Sequence, residues 1–278
     1  MPLQLQTTDI RGQLVFLGTG TSVGVPCIGC GCPTCTSDNP KNKRTRCSLA
    51  LGLPEGNLLI DTTPDLRTQL LRESIGIVHT VLYTHDHADH VFGLDDVRLF
   101  PQYLGHALPV YCEDFVEARI RKSFDYAFTE DNHGYGGGVP ELEMRRINSG
   151  EPFTLLGQSI RPFRLWHGKF RVLGFRIGNI AYCTDTGPSS AVVDLARGAD
   201  LLIAESALRP GQGDGGWPHL NPETAIALAK EAGARRLALT HFDAWAYRAL
   251  EDRQRVQEEF GESFPGLVVA TDGLVLDL

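Results

Sequence analysis

The chain has 278 residues, 42% apolar, 22% charged and 8% aromatic, a globular balance that excludes wholesale disorder and allows one large domain or two small ones. No apolar run reaches the roughly 18 residues of a membrane span, and the opening MPLQLQTTDI has neither a basic region nor a long apolar one, so a soluble cytoplasmic protein is expected. A count of 26 Lys and Arg against 34 Asp and Glu gives a net charge of −8, which argues against an extended nucleic-acid partner but not against a small phosphate ester, because bound metal ions invert the field locally.

In chain order, the first apolar run of strand length is Leu14–Leu17. It is followed by CIGCGCPTC, which places Cys27, Cys30, Cys32 and Cys35 within nine positions. In a chain with no visible export signal, such a cluster reads as a metal site before it reads as disulfides. Strands are expected at Leu58–Ile60, ending in Asp61, and at Val78–Tyr83, ending in the segment THDHADH. A helix is expected at Asp114–Phe124. The Gly-rich stretch Tyr126–Pro140 has no element pattern and is read as an active-site loop. The second half alternates strand and helix: strands Ile160–Phe163, Val172–Ile177 and Ile180–Cys183, helix Ser189–Ala196, strand Leu201–Ala204 before Glu205, helix Pro222–Ala232 with Asn221 as its N-cap, strand Leu237–Thr240 before His241, and helix Ala246–Phe260. No internal repeat or linker is visible, so residues 1–278 are read as a single α/β domain whose polar residues collect at strand ends.

The strongest chemical signal is THDHADH, which offers His85, His87, Asp89 and His90 in six positions. Alternate residues of an extended segment point the same way, so His85 and His87 can grip one ion, while Asp89 and His90 arrive as the chain turns and can face a second. Imidazole and carboxylate suit Zn²⁺, Mn²⁺ or Fe. Two ions need further ligands, and His167, Asp185 and His241 each follow an apolar strand-like run. A carboxylate such as Asp185 can bridge two ions, which a neutral imidazole cannot.

This H-x-H-x-D-H segment, followed by His, Asp and His at strand ends, resembles the metallo-β-lactamase fold superfamily of binuclear hydrolases, and the likeness runs from Leu17-Gly18-Thr19-Gly20 to Thr240-His241. The resemblance implies a four-layer αββα sandwich. It also implies one ion on His85, His87, His167 and Asp185 and another on Asp89, His90, Asp185 and His241, with Asp61 supporting the metal loop through hydrogen bonds. Within the superfamily, GTGTSVGVP followed by CIGCGCPTC resembles PhnP-type cyclic-phosphate phosphodiesterases and the related PqqB proteins, whose C-x-C-x-x-C holds a structural zinc. Cys30, Cys32 and Cys35 match that motif. The sequence departs from it at the fourth ligand, because Ala244 stands where the phosphodiesterases usually carry a His. Cys27 is expected to replace it, giving a Cys₄ site, with Cys47 and Asp243 as weaker candidates.

Two further features of the resemblance narrow the activity. His219, in WPHLNPETA, matches a His that contacts the scissile phosphate in phosphodiesterases and tRNA-processing members. The interval from His167 to Asp185 is too short for the arm with which tRNA 3′-processing enzymes grip tRNA. The expected activity is therefore hydrolysis of a small, cyclic phosphodiester by attack of a hydroxide bridging two divalent ions. His219 would hold a phosphoryl oxygen, and Asp89 would orient the nucleophile as well as bind metal. Arg98, close behind the metal motif, is a weaker candidate for substrate contact, and a homodimer is the default assembly. Thioester hydrolysis of glyoxalase II type and a PqqB-like role in cofactor biosynthesis are the alternatives.

Overall fold

The computed structural model describes residues 4–129, 138–213, 215–216, 218–249 and 252–278, so residues 130–137 of the expected active-site loop lie outside the described residues. The strands are β1 (Gln13–Gly18), β2 (Ser48–Leu53), β3 (Gly56–Ile60), β4 (Thr80–Leu82), β5 (Leu108–Cys112), β6 (Leu142–Arg146), β7 (Phe153–Leu155), β8 (Gln158–His167), β9 (Phe170–Ile177), β10 (Ile180–Tyr182), β11 (Leu201–Glu205), β12 (Arg236–Thr240), β13 (Leu267–Val269) and β14 (Val275–Asp277). They form two seven-stranded sheets, in the orders β14-β1-β2-β3-β4-β5-β6 and β13-β12-β11-β10-β9-β8-β7. Both are mixed. In the first, β3 through β6 run parallel and β2 pairs antiparallel with β3. In the second, β7 through β10 are antiparallel neighbours and β10 through β13 are parallel. Two mixed sheets flanked by helices are consistent with the αββα sandwich.

The chain divides into two compact units. The first is Met1–Leu17, Ser48–Asn148 and Gly273–Leu278; the second is Gly18–Cys47 and Ser149–Asp272. The core of the first gathers Leu59, Val81, Tyr83 and Val110 from its strands and Leu66, Leu70, Val116 and Ile120 from its helices. The core of the second gathers Leu165, Ala181, Leu202, Leu237 and Leu239 with Val192, Leu195, Ala225, Ile226 and Ala229. Among the described residues, no helix is long and apolar enough to cross a membrane.

Local chemistry explains where elements begin and end. The helix Pro222–Ala232 starts at a capping box in which Asn221 Oδ1 accepts the Thr224 amide at 2.8 Å and Thr224 Oγ1 accepts the Asn221 amide at 3.0 Å, and it stops at Gly233 with φ 67°. The expected helix Ala246–Phe260 is corrected: the helix is Asp252–Phe260. Upstream of it, Asp243 Oδ1 accepts the amides of Trp245 at 2.7 Å and Ala246 at 3.1 Å, closing a turn there instead. β2 was not expected, because its SLALGL mixes Leu with Ser, Ala and Gly and has no β-branched residue. Its Gly52 is needed: a Cβ there would stand 1.9 Å from the Ile10 carbonyl oxygen.

One close approach positions the metal motif. After the helical turn Ala88–Val91, Gly93 donates its amide to the Thr62 carbonyl at 2.9 Å, and a Cβ on Gly93 would lie 1.8 Å from the Thr63 carbonyl oxygen. The segment carrying Asp89 and His90 is thereby pressed against the residues that follow Asp61. Gly93→Ala is therefore expected to force the backbone apart and lower stability by about 1–3 kcal/mol, the usual cost of overpacking. Urea denaturation checks this, and an unchanged midpoint would show that the two segments separate freely.

Candidate metal centre

In the first unit, strand ends aim the ligating residues. Asp61 follows β3 in the left-handed region at φ 62°, fully buried, and its carboxylate is surrounded by donors. Oδ1 accepts the Thr84 amide at 2.8 Å; Oδ2 accepts the Thr84 hydroxyl at 2.8 Å and lies 2.7 Å from His90 Nδ1. These contacts fix proton positions. A carboxylate only accepts, so His90 carries its proton on Nδ1. The single Thr84 proton is given to Asp61, so the Thr84 oxygen, 2.9 Å from His85 Nδ1, accepts from that nitrogen. Both rings then present the lone pair of Nε2, the form in which imidazole binds metal. The rings of His85 and His87 are 4.5 Å apart and those of His85 and His90 4.2 Å, with Asp89 Oδ2 3.4 Å from His90 Nε2.

The second unit collects its own set at the ends of β8, β10, β11 and β12. His167 ends β8 at a tight turn, Gly168-Lys169, that leads into β9. Its Nδ1 lies 3.4 Å from the Pro218 carbonyl, which only accepts, so Nε2 again has the lone pair. Burial keeps this imidazole below the usual histidine range, against the pull of Asp185. Asp185 and His241 both sit in the left-handed region, at φ 48° and 58°, with Asp185 Oδ1 2.8 Å from His241 Nε2.

Glu205, the last residue of β11, plays the part in this unit that Asp61 plays in the other. It is fully buried and accepts the amides of Thr186 at 2.6 Å and Leu220 at 3.2 Å, while both its oxygens lie within 2.9 Å of His219 Nδ1. Burial opposes a charge on His219, but the Glu205 carboxylate outweighs it and pushes the imidazole up to about 9. Glu205 thus favours the protonated form of His219, whose ring lies 4.7 Å from His167 and 5.7 Å from His241. Ligand atoms of Glu205, His219 and His241 lie within 4.8 Å of one another. Sequence reasoning noted Glu205 as a strand-end polar residue but gave it no role. Its position after an apolar run, like that of Asp185 and His241, was the available signal.

The donor sets, imidazole nitrogens with carboxylates beside them, fit divalent ions. On the cysteine loop, the thiols of Cys30, Cys32 and Cys35 lie within 4.8 Å of one another, and Cys27 packs in the same cluster. It offers its backbone, donating its amide to Cys35 Sγ at 3.4 Å, while its thiol turns to the Ile28 carbonyl at 3.8 Å. Arg98 pairs with Asp95, which also accepts the Tyr126 hydroxyl, and donates to the Gly138 carbonyl at 3.4 Å.

The profile of the beta-lactamase superfamily domain matches residues 56–242. A crystal structure of a diphosphatase from the PhnP family is 32% identical, with a TM-score of 0.80, over 96% of each chain. Ribonuclease BN of Cronobacter sakazakii is 26% identical over 95% of this chain and 99% of that protein. An octanoyltransferase of Porphyromonas gingivalis is 39% identical over 174 residues, but the chain spans only 34% of its length.

Asp61→Asn isolates the carboxylate, because Asn tolerates the left-handed backbone that Asp61 adopts. It removes acceptors that Thr84 and His90 share, so metal affinity is expected to fall about 10–100-fold and stability by about 1–3 kcal/mol. Competitive metal titration reads the first effect; wild-type affinity in this variant would show that Asp61 does not set the imidazoles.

Proposed function

The chain belongs to the beta-lactamase superfamily of hydrolases, on its PhnP branch, and from that membership we propose that it is a metal-dependent phosphodiesterase acting on a small, cyclic phosphodiester. Two divalent ions are expected, Zn²⁺ or Mn²⁺ or Fe, one on His85, His87, His167 and Asp185 and one on Asp89, His90, Asp185 and His241. Ions bound there supply positive charge against the phosphate and lower the pKa of a water to near neutrality.

The observation that carries the reading is the buried Glu205–His219 pair beside His167 and His241. With Nδ1 facing Glu205, a protonated His219 carries its second N–H on Nε2. A cationic donor whose protonation is held by a buried carboxylate suits a substrate that is anionic before attack and gains charge during it. A thioester brings no such charge. His219 therefore binds a non-bridging phosphoryl oxygen and holds it as negative charge accumulates. Asp89 orients the nucleophile through its carboxylate. Glu205 keeps His219 charged and fixes its ring, so it acts by positioning.

The relatives divide on substrate size. The PhnP-family relative is named for diphosphate cleavage and the Cronobacter relative for ribonuclease activity. Two features favour a small substrate. The interval from His167 to Asp185 is taken up by the two-residue turn, β9 and β10, and the chain carries a net charge of −8.

Metal-replete protein is expected to hydrolyse bis(p-nitrophenyl) phosphate, with turnover abolished by Asp185→Ala. His219→Ala should retain its metals and lose turnover by roughly 10²-fold or more, the scale of one lost oxyanion donor. Unchanged turnover would remove His219 from the mechanism. Turnover of a thioester but of no phosphodiester would overturn the reading.

A further inference from the structure

The large aromatic side chains that the fold leaves in water keep to one part of its chemistry. Among the described residues, the exposed Phe and Trp side chains are Phe92, Trp166, Phe170 and Trp245. Each stands within four residues of His90, His167 or His241, three of the candidate metal ligands. Apolar residues scattered singly over a surface need no explanation, but exposed aromatic residues that follow the ligands along the chain point to a binding role.

Phe170 is the one whose placement against a ligand is fixed within the second unit. β8 ends at His167, β9 begins at Phe170, and the two residues are paired directly across the hairpin. Gly168, at φ 61°, takes the left-handed conformation that so short a turn requires. Directly paired residues point to the same face, while Trp166, one position before His167, points to the other. The Phe170 ring accordingly lies 6.4 Å from the His167 ring, tilted by 34°, and the His167 ring lies 4.7 Å from that of His219. One imidazole thus separates Phe170 from the residue that receives the phosphoryl oxygen, a gap that an aryl ester spans. Phe170 is 44% exposed there, and the Lys169 ammonium, 5.5 Å from its ring, adds positive charge beside it. Packing does not demand a phenyl group at this position, because the buried part of β9 begins at Val172. What the phenyl group supplies is a flat apolar face, on which another planar ring stacks in offset or edge-on geometry.

Resting on the reading of His219 as the phosphate donor, we propose that Phe170 is a specificity-determining residue that receives a planar aromatic ring carried on an ester arm of the substrate phosphate. The preferred substrates are then phosphodiesters bearing an aryl or heteroaryl ring rather than purely aliphatic ones. His219 holds the phosphate, Phe170 takes the ring, and Lys169 attracts the anion as it arrives.

Equilibrium binding tests this without turnover. Metal-replete, full-length protein is titrated calorimetrically with phenyl phosphate and with methyl phosphate, which share the anionic group and differ in the ring. Wild type should bind phenyl phosphate about 10-fold more tightly, the scale of one ring stacked on an aromatic side chain. Phe170→Ala and Phe170→Leu should bring the two affinities within about 2-fold of each other, Leu because it keeps apolar bulk without a flat face, and Phe170→Tyr should keep the preference. Equal affinities in wild type, or an aryl preference that survives in Phe170→Ala, would overturn the inference and leave the phosphodiesterase reading standing. Binding of neither phosphate would count against the phosphate site itself and remove the inference with it.

Discussion

Two carboxylates, each buried at the end of a strand, organise the candidate ligands of their own units. Asp61 and Glu205 are completely removed from water, and a buried charge is tolerable only when donors surround it. The chain meets that demand with the groups its chemistry uses. Asp61 takes the amide and hydroxyl of Thr84 and the proton of His90, and through Thr84 it also orients His85. Glu205 takes the amides of Thr186 and Leu220 and the proton of His219. The same satisfied carboxylate that keeps the fold intact decides which nitrogen of each ring is protonated.

The two carboxylates produce different results because their partners differ. Asp61 meets the amide and hydroxyl of Thr84 and one nitrogen of His90. Glu205 meets the amides of Thr186 and Leu220 and places both oxygens near one imidazole nitrogen, which favours the protonated form of that ring. One carboxylate thus sets the protonated nitrogen of His90, and the other favours a protonated His219. Backbone strain marks the same places. Asp61, Asp185 and His241 all adopt positive φ, which costs a non-glycine residue of order 1 kcal/mol or more and persists only where the surroundings over-determine it.

Much of this was legible in the sequence, for identifiable reasons. THDHADH is dense in ligands and follows an apolar run, and Asp61, Asp185 and His241 each close a run of their own, so short-range pattern sufficed. The helix Pro222–Ala232 was readable to the residue, because Asn, Pro and Gly specify both its ends. Other parts were not. β2 mixes Leu with Ser, Ala and Gly and has no β-branched residue to advertise a strand. Which of Cys27's groups meets Cys35 depends on the local path of the backbone, and spacing cannot tell an amide from a thiol. The partnership of Glu205 with His219, fourteen residues apart, and that of Arg98 with Asp95 and Gly138 are set by tertiary packing.

The central claim is that imidazoles preset by Asp61 bind two ions and that the imidazolium preset by Glu205 receives the phosphate. Anomalous diffraction from metal-loaded crystals grown with inorganic phosphate tests both halves at once. The account predicts two ions on His85, His87, Asp89, His90, His167, Asp185 and His241, with a phosphate oxygen within hydrogen-bond distance of His219 Nε2. A single ion on this ligand set, or phosphate bound there without contact to His219, would contradict it.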